Sequence, residues 1–269
     1  MTAILSPGTR VLPRYRGYAF DLDGTLYLGD ELIPGADRVV QELRDAGSRV
    51  VFVTNKPLET SASYAAKLTR LGIPATPDDV VSAIDALVRY LRRYHPDATL
   101  LPVAEHVVTD ELHSAGFETT PHPERADVVV VSFDRTFDYD KLTRAYQAVR
   151  RGAAIVATNP DPYCPTPDGG LPDCAAMLAA IEACTDTRAE AVVGKPSVHM
   201  AEAFLDRLQV PADQAAMVGD RVLTDVAMGQ AAGMASVLVL SGATSAEEAR
   251  SAGLDPAHVV EDVRGLLPA

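Results

Sequence analysis

The chain has 269 residues, enough at roughly 150 residues per domain for one large domain or two smaller ones. Apolar residues make up 47% and charged residues 23%, a globular balance that excludes a disordered chain. Lysine and arginine number 24 against 37 aspartates and glutamates, a net charge of −13. That charge repels phosphate backbones and anionic lipid, so no nucleic acid or membrane partner is expected; a small anionic substrate needs a cation where it binds.

Residues 1–14 read as a loose lead-in with proline and glycine and no periodicity. Tyr18–Phe20 follows as a short apolar strand, then a helix over Ala36–Ala46 with Val39, Val40 and Leu43 on one face and a stop at Gly47. Val50–Val53 is a second strand, and Leu58–Leu71, ending at Gly72, a second helix. From about Ser82 the alternation restarts, with strands at Thr99–Val103, Ala126–Phe133 and Ala153–Ala157 and helices near Glu105–Ala115 and Asp140–Arg151. Beyond Cys184 come strands at Ala191–Val193, Ala215–Val218 and Ser236–Leu240, and a helix over Ser197–Leu208. Continuous valine-rich runs fit strands buried on both faces of a parallel sheet. The expected fold is therefore α/β, a doubly wound parallel-sheet core with an inserted α/β domain. Residues 1–82 and 185–269 are assigned to the core and 83–184 to the insertion.

Four polar clusters directly follow apolar strands: Asp21-Leu22-Asp23-Gly24-Thr25, Thr54-Asn55, Gly194-Lys195-Pro196, and Gly219-Asp220 with Asp225. Ligands of open parallel sheets bind outside the carboxyl ends of the strands, so the four are expected to converge. Two unit charges about 4 Å apart cost roughly 4 kcal/mol at an effective dielectric of 20. Clustered carboxylates therefore call for a divalent cation, and an all-oxygen site suits Mg²⁺. Lys195, the Thr54 hydroxyl and the Asn55 amide would serve phosphoryl oxygens. Asp21 is placed to attack phosphorus, and Asp23 to protonate the leaving oxygen and later take a proton from water. Isolated, each element has a plainer reading: Thr54-Asn55 and Asp220 as helix caps, Lys195 as a solvated surface lysine, Asp225 as a cap or ion-pair partner. A calcium loop fails on spacing, because Leu32 stands where the bidentate glutamate belongs, and Pro196 excludes a Walker motif.

These four clusters, including Thr224-Asp225, resemble the motifs of the haloacid dehalogenase superfamily of phosphohydrolases. Their order and spacing are similar to its NagD-like branch (type IIA), which contains 4-nitrophenyl, phosphoglycolate, glycerol-phosphate, pyridoxal-phosphate and nucleotide phosphatases. The similarity runs from Tyr18 onward, and Ala157–Tyr163 through Asp168-Gly169 resembles the branch's cap. It implies a Rossmann-like core with a cap, Asp21 as nucleophile and Asp23 as acid/base. It also implies Mg²⁺ held by Asp21, the Asp23 carbonyl and Asp220, Asp225 supporting the metal shell, and a homodimer through the cap. The expected substrate is a small phosphorylated metabolite.

The chain departs from some relatives at Lys56-Pro57, at Tyr163-Cys164-Pro165 and at Leu171–Cys174. These departures make Tyr163 and Cys164 candidates for cap specificity. Competing readings are phosphotransfer to a second hydroxyl, as in mutases, and a phospho-accepting signalling receiver; receivers are near half this length and lack an inserted cap. Cys164, Cys174 and Cys184 form no C-x-x-C pair and no signal-peptide pattern precedes them, so free thiols in a reducing cytoplasm are expected. The six histidines form no zinc pattern.

Overall fold

The structure, a computed structural model, describes residues 4–5, 12–166, 169–251 and 253–267. Asp168 and most of the expected lead-in lie outside them. Two compact units emerge. The first comprises Met1–Thr54, Ser61–Val81 and Met200–Ala269; the second comprises Asn55–Thr60 and Ser82–His199.

The first unit is built on a seven-stranded sheet in the order Ile4–Leu5, His258–Val260, Ala235–Val239, Ala215–Gly219, Gly17–Asp21, Arg49–Thr54, Val80–Ser82. Phe20 lies in register with Phe52 on one neighbour and with Val218 on the other, and both pairings are parallel. Phe20 and Phe52 have no exposed surface, and burying a side chain of that size stabilises by about 1.5–3 kcal/mol. These strands are continuous apolar runs because their residues are buried on both sheet faces. Gly17–Asp21 has Arg49–Thr54, the next strand of this sheet in sequence, on one side and Ala215–Gly219 on the other. The strand order therefore reverses at Asp21, the kind of switch point where α/β sheets bind ligands.

The helix Ala36–Asp45 buries Ala36, Val39, Val40 and Leu43. It ends in two reverse bonds, Gly47 N–H to the Arg44 carbonyl and Ser48 N–H to the Leu43 carbonyl. Gly47 has φ +84°, the left-handed conformation that glycine reaches without strain and that this termination needs. The second helix begins at Ser61 rather than Leu58 and ends at Arg70. Residues 55–60 before it belong to the second unit.

The second unit carries a four-stranded parallel sheet in the order Ala191–Val192, Ala154–Ala157, Val128–Val131, Leu100–Val103. Its helix Ala83–Tyr94 starts at a capping box: Ser82 Oγ accepts from the Asp85 N–H while Asp85 Oδ2 accepts from the Ser82 N–H. Tyr163–Thr166 and Gly169–Pro172 form an antiparallel hairpin, followed by the helix Cys174–Thr185.

One sequence expectation changes here. The run 191–193, expected in the core, pairs instead with Ala154–Ala157, so residues 185–199 group with the second unit. An apolar run shows that a strand is buried, not which of two parallel sheets buries it. Among the described residues no helix is long and apolar enough to cross a membrane.

Candidate active site

Asp21 is the last residue of the central strand and is nearly buried. The chain then folds tightly, with the Leu22 carbonyl accepting from the N–H groups of Thr25, Leu26 and Tyr27 and the Gly24 N–H donating to the Tyr27 carbonyl. Gly24 has φ +83°, and a Cβ there would lie 2.5 Å from Asp220 Oδ2. Glycine is thus required twice, by the turn and by the approach of the acid. The turn carries Asp23, half-buried, two residues beyond Asp21.

Asp220 directly follows the strand Ala215–Gly219, and its Oδ2 accepts from the Ala243 N–H at 2.6 Å. A Cβ on Gly242 would overlap that carboxylate. Asp225 sits in the π-helical turn Val222–Val226, its Oδ2 accepting from the Arg221 N–H at 3.1 Å. Gly219 makes room for it, since a Cβ there would overlap the Asp225 carboxylate.

Asp21, Asp220 and Asp225 each offer a carboxylate oxygen, and those oxygens lie within 4.8 Å of one another. All three residues are buried, at 8%, 3% and 1% exposure. Three buried, mutually repelling carboxylates are unfavourable unless a cation joins them, and a hard, all-oxygen donor set suits Mg²⁺. The donor set therefore fits the expected ion. Asp225, expected only to support the metal shell, is an equal member of the cluster. Thr54, buried, ends the neighbouring strand one residue past Val53, which is in register with Asp21.

The strand that leads to Lys195 belongs to the second unit, so three of the four expected strand ends lie in one sheet. There Lys195 is 3% exposed. Its N–H donates to Asn55 Oδ1 at 2.7 Å, and its carbonyl accepts from Asn55 Nδ2 at 3.1 Å. Asn55 Nδ2 also donates to Asp161 Oδ2 at 2.9 Å.

Tyr163 is exposed and Cys164 buried, on the first strand of the hairpin. Nearby in sequence, Asp173 caps the helix Cys174–Thr185 through the Cys174 N–H at 2.6 Å. Burial pushes the Asp173 carboxyl up to about 6, with Asp161 adding to the rise and the Cys174 N–H opposing it. Burial also pushes the Cys174 thiol up to about 11. All three cysteines are free.

Sequence reasoning missed the Gly242–Ala243 contribution to Asp220 and the partners of Asn55. A glycine shortly after a strand was the available signal for the first. No local signal existed for the second, because Asn55 and Lys195 are 140 residues apart.

A haloacid dehalogenase-like hydrolase family model matches residues 18–118, and a second hydrolase model of the same kind matches residues 192–266. The chain is 36% identical over 266 residues to the sugar-phosphatase AraL of Bacillus subtilis, covering 99% of this chain and 96% of that protein. The structure of NagD from Escherichia coli is similar with a TM-score of 0.85 at 29% identity, over 94% of this chain and 98% of that one. Glycerol phosphate phosphatase from Mycobacterium tuberculosis, solved in complex with magnesium, gives 0.86 at 33% identity, over 94% and 76%. Buried acids at a sheet switch point, a parallel α/β architecture with an inserted cap, and full-length similarity to these enzymes lead to one conclusion: the chain belongs to the haloacid dehalogenase-like hydrolases, in their NagD-like branch, and is a phosphatase acting on small phosphate esters.

Proposed function

We propose that this phosphatase is Mg²⁺-dependent and works through an aspartyl-phosphate on Asp21. The observation that carries the proposal is the buried cluster of Asp21, Asp220 and Asp225 at the strand-order reversal. Asp21, Asp220 and the Asp23 carbonyl would hold the ion, with Asp225 completing the shell. Bound there, Mg²⁺ supplies positive charge against the clustered acids and against charge developing on the transferred phosphoryl group.

In the first step a carboxylate oxygen of Asp21 attacks phosphorus, the bond from phosphorus to the ester oxygen breaks, and Asp23 gives its proton to that departing oxygen. In the second step water attacks phosphorus, Asp23 takes the proton from the water, and the bond from phosphorus to Asp21 breaks. Phosphate leaves and the Asp21 carboxylate is restored. Thr54 and Lys195 serve the phosphoryl oxygens, the lysine by charge.

The substrate is a small phosphate monoester of the sugar, glycerol, glycolate or nucleotide type, with sugar phosphates first in view of the similarity to AraL. Tyr163 and Cys164 contribute to the choice among them. A cytoplasmic homodimer joined through the cap completes the proposal. Kinetics over a panel of these esters, ranked by kcat/KM, tests the substrate class. Stoichiometric release of inorganic phosphate supports hydrolysis, whereas phosphate appearing on a second sugar hydroxyl refutes it in favour of a mutase.

A further inference from the structure

Asn55 was expected to donate to the phosphoryl group, but its side chain is committed elsewhere. Its amide pairs with both main-chain polar groups of Lys195, accepting from the N–H at 2.7 Å and donating to the carbonyl at 3.1 Å. The same nitrogen donates to Asp161 Oδ2 at 2.9 Å. A primary amide carries two N–H hydrogens, and two acceptors already take them. Asn159 holds the arrangement from the other side: its Nδ2 donates to the Asn55 carbonyl at 3.2 Å, and its Oδ1 accepts from the Asp161 N–H at 3.0 Å.

The residue before the lysine is shaped for this pairing. Gly194 N–H donates to the Thr158 carbonyl at 2.7 Å. A Cβ on Gly194 would lie 2.7 Å from Asn55 Oδ1 and overlap the Thr158 carbonyl oxygen. Only glycine lets the strand end, the amide and the Thr158–Asn159 segment pack together.

We propose that Asn55 is a positioning residue for Lys195. It fixes the lysine's main chain, and thereby the origin of a long flexible side chain, and does not itself donate to phosphate. A residue gripped at both its own N–H and its own C=O has little freedom in φ and ψ. A lysine with four rotatable methylenes gains little from a buried site unless its root is held. The inference rests on Lys195 serving the phosphoryl group.

A double-mutant cycle tests it, using Asn55→Ala, Lys195→Ala and the pair, with 4-nitrophenyl phosphate as substrate and inorganic phosphate as competitive inhibitor. Displacement of a charged group by about 1 Å costs on the order of a hundredfold in rate, so Asn55→Ala is expected to lower kcat/KM by about that factor. In the Lys195→Ala background the same change is expected to cost less than about threefold, because the two residues act as one unit. Half-saturation by Mg²⁺ stays at the parent value throughout, since no metal ligand is altered. Should Asn55→Ala lack the parent's cooperative thermal transition, Asn55→Ser takes its place in the cycle with the same expectations. Losses that multiply in the double variant would show direct contact of Asn55 with phosphate and overturn the proposal, as would Asn55 variants with the parent rate. Lys195→Ala at the parent rate would instead remove the assigned role of the lysine, a distinct failure.

Discussion

Asp21 is one of three buried acids whose oxygens lie within 4.8 Å, and the proposed mechanism also makes it the nucleophile. The two roles separate in Asp21→Asn. Loss of the nucleophile should lower phosphate release by at least about 10³-fold. Removing one of three like charges should raise the thermal midpoint in metal-free buffer. A variant that is inactive and also less stable without metal would contradict the clustering argument.

Asp173 makes the opposite kind of prediction, about pH. Its folded pKa of about 6 lies above the ordinary value of 3.8, chiefly because it is buried. Its contribution to stability is therefore full below that ordinary value and is lost as pH rises through about 6. Asparagine caps a helix about as well as aspartate and never ionises. Asp173→Asn should match the parent near pH 4 and melt higher at pH 7.5, by about 2–4 °C for a gain of 1 kcal/mol in a chain of this size. Equal melting temperatures across that range would remove burial as the cause.

At the scale of elements, the site depends on how closely turns approach the acids. Gly24 and Gly242 both leave room for the Asp220 carboxylate, and Ala243 N–H holds one of its oxygens. Groups that orient a metal ligand are commonly worth 10–100-fold in metal affinity. Gly242→Ala should therefore raise the Mg²⁺ concentration for half activity by about tenfold or more, with a smaller effect on KM for the ester. An unchanged Mg²⁺ titration would show that Asp220 is not held by this turn for the metal.

The same scale shows what the sequence made legible. The strands around Phe20, Phe52 and Val218 were readable because burial on both sheet faces leaves uninterrupted apolar runs. Asp21 and Asp220 were readable because they stand at the ends of those runs. The sheet that takes 191–192 was not readable, because a two-residue apolar strand carries no mark of its neighbours. The pairing of Tyr163–Thr166 with Gly169–Pro172 was also missed: every residue of Gly169–Pro172 is exposed, so the strand shows no alternation. Asn55 is expected from the sequence to bind phosphate; its amide partners here, Asp161 and the main chain of Lys195, are tertiary neighbours that no local pattern announces.

For the whole molecule, the proposed metal site would link metal binding to stability. An ion that binds only the folded chain stabilises it by about 2.7 kcal/mol at a hundred times its dissociation constant. Chelation should therefore abolish activity and lower the melting temperature, and added Mg²⁺ should restore both. Asp220→Ala should lose the Mg²⁺-induced rise in melting temperature. A parent protein that is fully active and equally stable with excess chelator would exclude a metal at this cluster.

The covalent step is tested most directly by trapping it. Protein mixed with ³²P-labelled substrate and quenched in acid within one turnover should carry the label, and reduction with borohydride should convert residue 21 alone to homoserine. Full turnover with no label on the protein, or label on a residue other than Asp21, would contradict the account.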